Sequence, residues 1–135
     1  MTKRDFYNVS RIARRVRRLL LKKLGVASTH STLVGAAAIP LCAELRNKGY
    51  NAIIIYGRVK TDYRPLLRSH YWVELGGFVV DIIGDQFNHF MRGQVFPDVV
   101  LAPYNLLPRY SPQKKDCIKF EGNLNSFLHE WIETI

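Results

Sequence analysis

The chain has 135 residues, of which 47% are hydrophobic, with 20 Lys+Arg against 11 Asp+Glu. That is the size and make-up of one globular domain able to bury a core without disulfides or a structural metal. Its two cysteines, Cys42 and Cys117, show no CxxC or Cys/His spacing, which excludes a disulfide scaffold and a zinc module. The net charge of +9 points to nucleic acid or an acidic surface, yet nine basic residues and one acid fall within residues 1–25, leaving eleven against ten elsewhere.

Apolar runs fall short of the roughly 18–20 residues that a membrane-spanning helix needs, and no secretory leader is expected because Lys22 and Lys23 interrupt the run after Leu21. The expected location is cytoplasmic; an Arg-rich mitochondrial-type presequence over residues 1–25 is an alternative, although serine is scarce there. Within residues 5–24, Phe6, Val9, Ile12, Ala13, Val16, Leu19, Leu20 and Leu24 recur at helical steps. Arg11, Arg14, Arg15, Arg18 and Lys22 form the opposite stripe, either a solvated face or a contact for an acidic protein or nucleic acid.

Gly25 ends that helix and residues 26–34 read as a polar connection. A second helix is expected from Ala36 to Lys48, with Pro40 tolerated near its start and Ala38, Leu41, Cys42 and Leu45 as its buried stripe. The β-branched run Ala52–Tyr56 reads as a strand covered on both faces and closed by Gly57. Residues 58–69 read as a loop. His70–Leu75, the pair Gly76-Gly77 and Phe78–Ile83 read as a tight hairpin. Residues 84–116 read as irregular apart from a short strand at Val99–Leu101, and Leu124, Phe127, Leu128, Trp131 and Ile135 mark a C-terminal helix capped by Asn123.

The hairpin carries the chemistry. A two-residue turn pairs Leu75 with Phe78 and puts His70, Trp72, Glu74, Val79, Asp81 and Ile83 on one face, with His70 and Asp81 as diagonal neighbours. A carboxylate accepting the imidazole Nδ1–H would fix the tautomer and leave Nε2 to exchange protons with a nucleophile. A structural ion pair is the plain alternative, but an acid inside the run Phe78–Ile83 needs a partner wherever it is buried. No metal or cofactor is expected: His30, His89 and His129 lack ligand spacing, Asp81 with Asp85 is too few ligands, and the glycines form no phosphate loop.

The stretch His70-Tyr71-Trp72-Val73-Glu74, then Val80-Asp81-Ile82 and Asp85-Gln86-Phe87, resembles the transglutaminase-like branch of the papain-like cysteine peptidases, in particular small bacterial and phage proteins of that branch. The resemblance covers about residues 33–90. It implies a transglutaminase-like core, a helix packed on a small antiparallel sheet; with the terminal helices read from their apolar spacing, the expected fold is α+β in a single domain: a basic helix (1–25), the core (33–90), then an irregular segment and C-terminal helix (91–135).

It also implies Cys-His-Asp acyl transfer on a peptide or protein, as a peptidase, amidase or deamidase. His70 would be the base, Asp81 its orienter, Trp72 a wall of the site, and Glu74, if exposed at the strand end, a substrate contact. The family's thiol stands at a helix N-terminus, which lowers its pKa. Carried over, that position is Ala37. The alanine reads as an engineered exchange, as the mark of a natural pseudoenzyme or binding protein, or as a sign that Cys42 is the nucleophile instead, although Cys42 shares an apolar stripe.

Overall fold

A computed structural model of the chain describes residues 1–24 and 37–115, so the expected C-terminal helix and Cys117 lie outside the described residues. Helix α1 is Lys3–Leu24. It opens two residues before its apolar period because Thr2 and Asp5 form a capping pair: Thr2 Oγ1 accepts the Asp5 N–H at 3.0 Å, and its hydroxyl donates to Asp5 Oδ2 at 2.9 Å. Val9, Ala13, Val16 and Leu20 are buried at successive helical turns, whereas Phe6 is exposed. Burying Val9, Val16 and Leu20 contributes on the order of 1.5–3 kcal/mol each.

Helix α2 is Ala38–Asn47, within the expected span of Ala36–Lys48, of which Ala36 lies outside the described residues. Pro40 is its third residue, where an N–H would have no intrahelical acceptor, so the ring breaks no hydrogen bond. Ala38, Leu41, Cys42 and Leu45 are all buried.

Five strands follow: β1 Ile53–Lys60, β2 Leu67–Leu75, β3 Phe78–Asp81, β4 Val100–Pro103 and β5 Tyr110–Lys115. They make one antiparallel sheet in the order β4-β3-β2-β1-β5. The domain is therefore α+β. The hairpin has the expected register, Leu75 opposite Phe78 and Val73 opposite Val80. Its turn places Gly76 at φ 51° and Gly77 at φ 84°, left-handed values that glycine adopts without a Cβ penalty.

Two expectations are corrected. Gly57 does not close β1, which runs on to Lys60; a Cβ there would collide with the Trp72 ring and the Ser111 carbonyl, so glycine marks a close approach within the sheet. The short strand expected at Val99–Leu101 is present as β4, but much of the stretch expected to be loop, 58–69 and 84–116, is also strand: the end of β1, the start of β2, and all of β5. Strand β5 reads as loop because Ser111–Lys115 are all exposed and include Pro112, which an edge strand accommodates, here beside a register shift between Tyr56 and Gly57.

The sheet separates two apolar layers. On one face α1 and α2 pack on Ile54, Val73, Val80 and Ile82. On the other, Ile55, Val59, Trp72 and Val79 pack under Phe87, Met91, Phe96 and Tyr110, supplied by β5 and by the β3–β4 connection with its 3₁₀ segment Gly84–Phe90.

Arg17 ties α1 to that connection. Its guanidinium forks onto Asp85 at 3.1 and 3.0 Å and also donates to the carbonyls of Ile82 at 2.6 Å and Asp98 at 3.0 Å. Arg14, by contrast, meets Asp98 at 3.5 Å with both side chains more than half exposed. Arg17→Met is expected to lower unfolding free energy by about 2–3 kcal/mol in urea titrations, against less than about 1 kcal/mol for Arg14→Met.

Candidate active site

Strand alternation delivers the imidazole and the carboxylate to one place. His70 on β2 and Asp81 at the end of β3 both face the aromatic layer, and His70 Nε2 lies 2.7 Å from Asp81 Oδ2 with the side chains 0% and 2% exposed. The nitrogen engaged is Nε2, not the expected Nδ1. His70 Nδ1 is buried and has no hydrogen-bond partner among the described residues. In the neutral ring the proton therefore sits on Nε2, donated to Asp81, and the Nδ1 lone pair is the free basic position.

Asp81 has two further donors. The Tyr110 hydroxyl donates to Oδ2 at 2.6 Å, and the Ile83 N–H donates to Oδ1 at 3.1 Å. Burial pushes the Asp81 carboxyl up, but the His70 charge and hydrogen bond, the Tyr110 hydroxyl and the Ile83 N–H outweigh it and hold the group below the ordinary carboxylate range. The same contact, after burial, drives Tyr110 well above the usual phenol value, so Tyr110 stays a donor.

Rings enclose the pair. Phe87 meets His70 edge-on at 4.9 Å between centroids, Trp72 lies 6.0 Å from His70, and Tyr110 stands edge-on to Trp72 at 5.1 Å. Trp72 thus stands beside the imidazole, and its indole N–H is held by the Tyr104 hydroxyl at 2.9 Å. Asp85-Gln86-Phe87 divides its work: Asp85 receives Arg17, and Phe87 packs on His70.

The other expected site residues lie elsewhere. Glu74 is not exposed at the strand end; it is 6% exposed, 3.4 Å from Lys115 Nζ, with Oε1 buried and unpartnered among the described residues. Ala37, at the N-cap of α2, and Cys42, whose thiol approaches the Ala52 carbonyl at 3.4 Å, both belong to the helix-side layer, across the sheet from the layer His70 faces.

Sequence reading missed Tyr110 and Gly84. Tyr110 is 29 positions from Asp81, and its only advance signal is that a buried carboxylate needs more than one donor. At Gly84 a Cβ would stand 2.6 Å from the Tyr110 hydroxyl and 2.8 Å from Asp81 Oδ2. Among the described residues no group of three His, Cys, Asp or Glu could hold a metal ion, and no helix is long and apolar enough to cross a membrane. No protein-family model, curated protein or solved structure matches the chain.

Because the folded Asp81 pKa is depressed, its stabilisation is present above the unfolded value of about 3.9 and is lost as pH falls through the lower folded value. Urea midpoints measured against pH should therefore drop on acidification below about pH 4, and drop less steeply in Asp81→Asn. An unchanged acid slope in that variant would place the linkage elsewhere. Tyr110→Phe should cost about 1–3 kcal/mol, and Gly84→Ala at least as much, since its methyl group must push the same two oxygens apart.

Proposed function

We propose that the chain carries the base half of a thiol-dependent acyl-transfer site on a transglutaminase-like, papain-like scaffold, with Ala37 standing where the nucleophile belongs. The observation that carries this reading is the buried His70–Asp81 contact with His70 Nδ1 left unpartnered. An imidazole held on one side by an ionised carboxylate and free on the other is what a general base requires. With cysteine at position 37, the thiol would attack an amide carbonyl after losing its proton to His70, a transfer that requires α2 or the imidazole to move, because position 37 lies across the sheet from Nδ1. The imidazolium would then protonate the departing amine, and water would release the acyl group as an acid. With alanine the covalent step has no nucleophile there, and the scaffold binds its peptide or protein partner without cleaving it.

A second reading has its own support. Ala37 packs in the layer opposite His70, and all three donors to Asp81 come from inside the domain, so the pair also suits a purely architectural tie in a binding protein. Alkylation separates the two. Under the acyl-transfer reading, Ala37→Cys should be carbamidomethylated by iodoacetamide at neutral pH at least about tenfold faster than the same thiol in Ala37→Cys/His70→Ala, with the adduct mapped to residue 37 by peptide mass. A thiol there that is inert, or equally reactive without His70, removes the enzymatic reading and leaves the architectural one.

A further inference from the structure

The basic stripe of α1 does more than face solvent. Asn8, Arg11, Ile12, Arg14, Arg15 and Arg18 form one wall of a half-open groove of about 700 Å³, closed on the other side by Lys48 and Tyr50 after the end of α2. Arg11, Arg15 and Arg18 follow one another at steps of four and three, a single helical face about 10 Å long at 1.5 Å per residue. Among the described residues, five cations thus line one concavity.

Two carboxylates offset part of this charge. Glu44 lies 3.6 Å from Arg15 and 3.9 Å from Lys48, and Asp98 lies 3.5 Å from Arg14. Arg11 has the Tyr7 ring 5.7 Å away, and neither it nor Arg18 has a carboxylate partner among the described residues. The groove is left about three positive charges in excess, on a short arc, within a volume in the small-molecule range of about 300–1,000 Å³.

These features point to one ligand chemistry, and we infer that the groove binds a molecule carrying two or three linked phosphate groups. Four of the five cations are arginines, whose planar forks fit phosphate oxygens in pairs. A long polyanion is poorly served, because residues 26–135 are nearly neutral, with eleven basic against ten acidic groups. An acidic peptide helix would need an apolar seat, and among the described residues Ile12 is the groove's one aliphatic side chain.

Tripolyphosphate is the probe, titrated by calorimetry into the full chain at about 50 mM salt. Saturable one-to-one binding is expected, weakened at least about tenfold in Arg11→Gln/Arg18→Gln and less than about twofold in Lys114→Gln, an exposed cation on β5. Both arginines are exposed, and an unchanged thermal melt of the double variant shows that binding and not folding is read. Phosphatidylcholine vesicles with and without a phosphatidylinositol bisphosphate distinguish the source of the phosphates. Capture that tripolyphosphate displaces assigns the groove to a lipid headgroup, and tripolyphosphate binding without capture assigns it to a ligand free in solution; both support the inference. Absence of saturable binding, equal binding by the double variant, or binding of a single-stranded oligonucleotide that strengthens with length and resists tripolyphosphate would each overturn it.

Discussion

The fold turns on one buried carboxylate. Asp81 closes strand β3 inside an otherwise apolar run, where an ionised group is tolerated only if donors replace the water it has lost. They come from three places: Nε2 of His70 on β2, the N–H of Ile83 just past β3, and the hydroxyl of Tyr110 at the start of β5. Because β5 lies beyond β1 in the sheet, the Tyr110 contact reaches back across two strands to β3. A local electrostatic need thereby becomes a long-range tie.

That tie dictates much of its surroundings. For Tyr110 to reach Asp81 its ring must cross the Trp72 face of the sheet, and Gly57 makes this packing possible by leaving room for the indole against the β1 backbone. Gly84 leaves the matching space beside the two oxygens. Neither glycine adopts a left-handed conformation; each is required by what lies next to it. The segment leaving Asp81 then supplies Phe87 to the imidazole and Asp85 to Arg17, so the turn that completes the polar cluster also anchors α1. The same helix that is clamped at Arg17 presents Arg11, Arg14, Arg15 and Arg18 to the groove beside α2.

What was legible in the sequence follows from how local each signal is. The period of α1, the buried stripe of α2 and the Gly76-Gly77 hairpin are set by residues within a few positions of one another, and the hairpin register alone brought His70 to Asp81. Strand β5 was illegible because an exposed edge strand needs no apolar alternation, and Pro112 argued for a loop. Tyr110 and Gly84 were missed because their roles exist only once β5 is placed. Glu74 reads as a residue at a strand end, yet Lys115 on β5 and Tyr104 just past β4 lie against it; burial, and after it Glu74, raises the Tyr104 pKa. Which ring nitrogen faces the carboxylate depends on the approach of the imidazole, and strand alternation says nothing about it.

The site therefore depends on an imidazole whose proton is committed to Asp81 through Nε2 and whose Nδ1 stays open. Long-range proton–nitrogen NMR correlation spectra of the histidine rings, recorded as a pH series that follows the neutral ring, read this directly. The predicted result is a protonated, pyrrole-type Nε2 and an unprotonated, pyridine-type Nδ1 for His70, assigned by the signal lost in His70→Gln. A protonated Nδ1 with Nε2 bare, or averaged signals from two exchanging tautomers, would contradict it.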